Sequence, residues 1–449
     1  MALSFNPYTQ QSIREYAELN LAQIDFRINA CSSAQKSWGK TALNERIEMV
    51  KVLSKRIIDA KKELAVLATS EMGKPISQGI QEVEKCAWAI DLMCAQATDI
   101  LKTKIVPTEA QESYVQYDPL GLVLGVMPWN YPYWQVIRYA IPALISGNGV
   151  LLKHASNVTG SALALENLIC QAVGNDLFSV LVINVSNVSK VIENPKVRAV
   201  TLTGSEAAGS AVAMVAGKSI KPVVLELGGS NAFVVMKDGD VDLAVKDAIA
   251  GRFQNSGQSC IAVKRILVHS SLEKEFTDKF AARVKRLWVG DPMDEHCFVG
   301  PMAREDLAAD LHDQVERSVA AGAKLLVGGR YQGATYSPTV LTGVKPGMPA
   351  FDEETFGPVA AIGTFDSNED MLDLVNSSRY GLGVSIYSTD VLGVKTLTSQ
   401  FEEGAVFINS IVKSDPRLPF GGAKLSGFGR ELGEVGFLNF VNHKTVYVG

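Results

Sequence analysis

Residues 200–209 read VTLTGSEAAG, and the change of pattern at their centre decides the fold. The apolar run 197–203 has strand length and no polar face, Gly204-Ser205 interrupts it, and residues 207–216 carry helical character. A second apolar run, 223–227, follows the helix. Strand, helix and strand at this spacing describe a βαβ unit, whose parallel strands are covered on both faces. The same alternation precedes it, with strands expected at 150–152 and 179–185 around a helix at 161–173. It resumes after Gly228-Gly229, with strands expected at 232–236, 265–269, 360–365 and 405–408. Two parallel-sheet α/β domains meeting near residue 228 is the economical organisation. Upstream, apolar residues recur at three and four from 43 to 70 (Ile47, Val50, Leu53, Ile57, Leu64, Leu67), a helix closed by Gly73-Lys74-Pro75. A second helix is expected over 76–101, with Val83, Cys86, Ile90, Met93 and Cys94 on one stripe. Residues 113–117 are extended in pattern, and the short apolar run 121–128 ends in Pro-Trp-Asn.

A chain of 449 residues exceeds a single core, in keeping with several domains. Net charge is −5 and the basic residues are scattered, which excludes a nucleic-acid partner. No apolar stretch reaches spanning length and the N-terminus lacks a secretory pattern, so no membrane is expected and the location is expected to be cytoplasmic. The six cysteines form no C-x-x-C pair and have no staggered histidines, which argues against a metal site and against a disulfide framework.

Four short stretches carry chemistry. In VTLTGSEAAG, the turn at Gly204-Ser205 leaves free backbone N–H groups at a helix start, where a phosphate fits or where an ordinary turn is made. Neither G-x-G-x-x-G nor a P-loop is present; Val212 stands where the P-loop ending at Gly217-Lys218-Ser219 needs its first glycine. In VLELGGS, 224–230, Glu226 interrupts an apolar strand; it is either a buried carboxylate with a raised pKa, suited to a general base, or the strand's solvated end. In QNSGQSC, 254–260, Cys260 follows the Gly257 turn; it is either a reactive thiol or a small buried hydrophobe. In PWN, 128–130, Asn130 either donates to an oxyanion or caps the helix that follows.

In this order, PWN, LLKHAS, TGSxxxG, LELGG, GQxC, EETFGPV and PFGGxKxSGFGRE resemble the aldehyde dehydrogenase superfamily from about residue 20 to the C-terminus. Within it the chain most resembles the short bacterial succinate-semialdehyde dehydrogenases, through GRFQNSGQSC, LLKHASN and FGRELG. The resemblance implies a Cys260 nucleophile, a Glu226 base and an Asn130 oxyanion donor acting with the Cys260 amide. It implies NAD or NADP as cofactor, with Lys153 and Glu354 on the riboses, Ser205 on the pyrophosphate, Phe356 beside the nicotinamide, and Trp129 and Gly204 along its path. Ser156 stands where strict NAD enzymes often carry Glu, so a 2′-phosphate is allowed and dual cofactor use is expected. For a carboxylated aldehyde, Arg138 and Ser414 match the residues on the distal carboxylate. Gln254 replaces an Arg of the long-form enzymes, a loss for which Lys413 or Arg417 are the candidate replacements, and Ala262 removes a second redox cysteine. Ser230 departs from the Lys usual after LELGG.

The resemblance divides the chain into a Rossmann-like cofactor-binding domain (1–100 and 120–228), a catalytic domain (229–425) and an oligomerisation flap with the C-terminal strand (101–119 and 426–449), and implies a homodimer or homotetramer. Succinate semialdehyde is the expected substrate, with glutarate semialdehyde or a broad aldehyde range as the alternative. A CoA-acylating enzyme is disfavoured by Glu226, and a non-catalytic relative by the presence of Cys260, Asn130 and Glu226 together. A cysteine hydrolase is the remaining rival.

Overall fold

The computed structural model describes residues 1–449. Two mixed sheets, each almost wholly parallel, organise it. The first runs Gly427–Phe428, Val223–Glu226, Val197–Thr203, Leu122–Met127, Gly149–His154, Phe178–Val180 across the sheet, with only the first pair antiparallel. Chain order runs outward in one direction from Leu122–Met127 and then restarts on its other side at Val197–Thr203. The crevice beyond the carboxyl ends of two such strands is where an open α/β sheet receives a ligand. Here those ends deliver Pro128-Trp129-Asn130 and Gly204-Ser205 side by side.

The second sheet runs Lys324–Val327, Thr339–Thr342, Val359–Phe365, Val263–His269, Asn231–Val235, Val384–Tyr387, Val406–Ile408, again with one antiparallel edge pair. Its central strands are buried along nearly their whole length, as β-branched runs covered on both faces require. A third, antiparallel sheet joins Val441–Val448, Glu112–Pro119 and Lys104–Ile105.

Several elements differ from the sequence pattern. The expected helix over 43–70 is two, Leu43–Asp59 and Lys61–Met72, parted at Ala60. Gly73 then ends the second with φ +78°, where a Cβ would lie 2.7 Å from the Pro301 ring. The strand expected at 179–185 shrinks to Phe178–Val180, because Asn184 starts a 3-10 turn by accepting from the Ser186 amide. An N-terminal hairpin, Ala2–Asn6 with Gln11–Tyr16, was not foreseen. Residues 426–440 do not travel with the C-terminal strand: Gly427–Phe428 pairs with Leu225 and Glu226 in the first sheet, and Gly433–Leu438 packs on the buried helix Trp134–Ile145. That segment carries Glu431 to Thr201 and Arg138, which matters for the site. No helix is long and apolar enough to cross a membrane.

Candidate active site

Cys260 sits at the end of an unusual piece of backbone. Asn255, Ser256 and Gly257 all have φ between 52° and 74°, the left-handed region that side chains other than glycine's avoid. Such strain, about 1–3 kcal/mol per residue, persists only when the surroundings over-determine it. Here they do. The Asn255 amide donates to Gln78 Oε1 (2.6 Å), Asn255 Nδ2 donates to the Asn130 carbonyl (2.8 Å), and Ser256 Oγ donates to the Gly300 carbonyl (2.8 Å). Gln258 Oε1 accepts from the Ala303 amide (2.9 Å). Buried Arg252 donates to the carbonyls of Gly257 and Thr355 (3.3 and 3.1 Å) and of Gly357, tying the turn to the segment that bears Glu354 and Phe356. At Gly257 a side chain would run into the Gly357 carbonyl, so glycine is required there.

The consequence is a half-buried thiol at the meeting point of two cavities. One, of about 250 Å³, is lined by Trp129, Asn130, Gly204, Ser205, Glu354 and Phe356. The other, of about 280 Å³, is lined by Arg138, Gln254 and Ser414 together with Lys85, Trp134 and Phe420. Cys260 is the only residue that lines both. A larger groove of about 1020 Å³ lies elsewhere, between the N-terminal hairpin and residues 330–337. It is open and gathers no chemically convergent groups, so cavity size does not locate the site.

Burial pushes the Cys260 thiol up to about 12, with Glu226 adding to the shift and Arg138 and Lys264 opposing it. The resting sulfur is therefore protonated at neutral pH. The Cys260 amide makes no backbone hydrogen bond while its neighbours Ser259 and Ala262 both donate to local carbonyls. Asn130 is buried, with Nδ2 donating to the Gln258 carbonyl at 3.1 Å and its second N–H unclaimed. An amide and a carboxamide thus stand ready beside one sulfur, the composition of an oxyanion hole.

Glu226 ends its strand fully buried, and neither carboxylate oxygen has a hydrogen-bond partner. Burial raises its pKa well above the carboxylate range, Arg138 at 3.8 Å lowers it, and Glu431 raises it again. Its side chain is not on the wall of either cavity; it faces Arg138 behind the thiol.

Arg138 was expected from the sequence to grip a distal substrate carboxylate. Its guanidinium does border the second cavity, but Nη2 donates to Thr203 Oγ1 (2.8 Å), Nε pairs with Glu431, and Nη2 faces Glu226. The physical reason is local: two buried carboxylates, Glu226 and Glu431, would be uncompensated without it.

Glu354 accepts from the Gly229 amide (3.0 Å) and pairs with buried Lys264, which also donates to the Cys260 carbonyl (3.2 Å). Ser205 caps its helix, accepting from the Ala208 amide at 3.3 Å. Trp129 and Phe356 meet edge to face at 5.8 Å. Lys153 and Ser156 lie outside both cavities, at the carboxyl end of the adjacent strand Gly149–His154; Lys153 is half-buried and Ser156 exposed. The first cavity suits the nicotinamide end of a dinucleotide. The first-turn amides of helix Glu206–Lys218 start at its edge, and at Gly228 a Cβ would stand 2.5 Å from Glu354 Oε2, so the glycine keeps that wall open.

Lys85, Arg252, Lys264 and Glu431 were not singled out from the sequence. Glu431 lay within the quoted FGRELG, and a signal for Lys85 was present too: Gln78, Glu82 and Lys85 recur at four and three, a polar stripe along one side of the helix.

A thiol between two cavities, an amide pair beside it and a buried carboxylate behind it, on two parallel α/β sheets, define a covalent oxidoreductase scaffold. The chain belongs to the aldehyde dehydrogenase family, whose model matches residues 2–446. It is 41% identical over 99% of its length to the Escherichia coli succinate semialdehyde dehydrogenase [NAD(P)+] Sad, covering 97% of that protein. It is 42% identical to a probable NADP(+) succinate-semialdehyde dehydrogenase of Synechocystis, covering 99% of both chains. The crystal structure of the Streptococcus pyogenes succinic semialdehyde dehydrogenase in complex with NADP+ superposes with a TM-score of 0.97 at 33% identity over 100% of each chain.

Proposed function

We propose that this chain oxidises a short carboxylated aldehyde, succinate semialdehyde foremost, to the acid with NAD or NADP. The observation that carries this reading is the position of Cys260 as the shared wall of two cavities, one for each reactant. The likeness to the Escherichia coli and Synechocystis enzymes supports the substrate and the cofactor.

Addition of the Cys260 sulfur to the aldehyde carbon makes a tetrahedral adduct, with the thiol proton leaving through Glu226 once its side chain swings toward the sulfur. The adduct's oxygen accepts from Asn130 Nδ2 and the Cys260 amide, a donor set of the kind worth about 3–4 kcal/mol of barrier per donor. When bound, a nicotinamide dinucleotide would take up the hydride lost from the adduct's carbon, leaving a thioester on Cys260. Trp129, Ser205, Glu354 and Phe356 would hold it, with Lys153 on a ribose and exposed Ser156 leaving room for a 2′-phosphate. Once Glu226 has released the thiol's proton to solvent, it takes a proton from water as that water attacks the thioester and the Cys260 sulfur leaves, the task for which a raised carboxylate pKa is suited. Arg138 keeps Glu226 ionisable in its buried position.

We further infer a cytoplasmic homodimer or homotetramer, supported by the three-stranded sheet whose outer strands leave Ile105, Tyr447 and Val448 exposed. The purified protein should reduce NAD or NADP with succinate semialdehyde, without CoA. Absence of reduction across a panel of C3–C6 aldehydes with both cofactors would remove this reading.

A further inference from the structure

Four cations surround the substrate cavity, and three are committed elsewhere or peripheral. Arg138 borders the cavity, but its Nε and Nη2 already answer Glu431, Thr203 and Glu226. Arg417 is held by Asp415 at 2.6 and 2.8 Å. Lys413 is exposed at the rim.

Lys85 is different. It projects from helix Ile76–Ile100 into the cavity wall, half-buried, and no carboxylate lies within ion-pair distance of it. Its Nζ sits 4.0 Å from the centroid of the Trp134 ring and donates to Ser414 Oγ at 2.8 Å. Trp134 Nε1 donates to the same Ser414 oxygen at 3.0 Å. A hydroxyl has two acceptor sites and one donor. With both acceptor sites filled by Lys85 and Trp134, the Ser414 O–H has only its proton left to offer. The ammonium retains two N–H groups. Three donors therefore converge on one wall of the cavity, with a positive charge among them; the cavity's one carboxylate, Glu82, is paired with Lys74. The donors come from one helix and the loop after Val406–Ile408, and Trp134 on a second helix holds both in place.

We propose that Lys85 with Ser414 binds the carboxylate at the far end of the substrate, making Lys85 the residue that sets preference for carboxylated over neutral aldehydes. This rests on the carboxylated-aldehyde reading above. It also accounts for Gln254: with a cation supplied from the helix, an arginine at the mouth is dispensable. Burial lowers the Lys85 pKa to about 8, and an arriving carboxylate offsets that cost.

The test is the ratio of kcat/KM for succinate semialdehyde to that for butanal, a neutral aldehyde of the same chain length, at saturating NADP. It is measured for wild type, Lys85→Met and Lys85→Arg. A charge-assisted hydrogen bond spans roughly 10- to 150-fold in binding, so the ratio should collapse by about 30-fold in Lys85→Met, through KM rather than kcat. Lys85→Arg should restore part of it. Butanal turnover in the same variant reports that the fold and the thiol are intact. If both substrates fall together, Lys85 is a structural residue and the proposal is overturned; if wild type prefers the semialdehyde and Lys85→Met keeps that preference, another cation does the work and the proposal alone is overturned. If wild type shows no preference at all, the carboxylated-substrate reading fails and takes the proposal with it.

Discussion

Replacing Glu226 by Gln separates the two halves of the proposed reaction. The side chain keeps its volume but neither carries charge nor accepts a proton. Formation of the thioester is expected to proceed once, slowed only by the loss of the proton acceptor for the thiol. Hydrolysis loses its general base, a contribution of about 10²–10⁴-fold, or about 3–5 kcal/mol of barrier. Stopped-flow absorbance at the reduced-nicotinamide band should therefore show a burst of one equivalent per active site, then a steady state slower than wild type by that factor. The same substitution has a stability signature. Arg138 at 3.8 Å attracts Glu226 by about 4 kcal/mol at an effective permittivity near 20, yet burial still leaves the carboxylate pKa raised. A carboxylate whose folded pKa exceeds its unfolded value binds more protons when folded, so its contribution to stability falls as pH rises from about 4.3 toward the folded value. The Tm of Glu226→Gln should match wild type near pH 4 and gain on it as pH increases through that window. A variant with undiminished steady-state turnover and no burst, or with a Tm deficit that grows with pH, would refute both the assignment and the electrostatic account behind it.

Two further substitutions probe the groups around the thiol. Arg138→Gln removes the cation that holds the Glu226 pKa down, so the ascending limb of the kcat–pH profile should move to higher pH; an unmoved limb would show that Arg138 does not govern that group. Asn130→Ala removes the carboxamide donor and should lower kcat for semialdehyde and butanal alike by about 10²–10³-fold with little change in KM, read by steady-state kinetics.

The parallel architecture was legible because buried strands and amphipathic helices leave opposite periodicities, and the turn at Gly204-Ser205 marks where one yields to the other. Residue type alone left two readings open for each of Cys260, Asn130 and Glu226, and it was the order of the motifs, as a family resemblance, that singled them out. What the chain pattern did not carry was where long side chains finish. Arg138 is spaced from Asn130 as a substrate-binding arginine would be, but the direction of its guanidinium is set by Glu431, nearly three hundred residues away and buried only when the chain is folded. Lys85 lies on a helix whose apolar stripe dominates its pattern, and its role depends on Trp134 and Ser414 arriving from two other segments. The break at Ala60 likewise leaves no apolar mismatch to see, since Ile57 and Leu64 stay buried on either side.

Because Cys260 alone belongs to both cavities, the two reactants reach the sulfur from opposite sides of a one-residue partition. The two linings share no other residue, although the adduct's oxygen reaches across to Asn130 on the cofactor side. Substitutions around Ser205 and those around Lys85 therefore have no shared partner through which to couple, so their free-energy effects should add. Cofactor choice and aldehyde choice are, in that sense, separately inheritable traits of one fold.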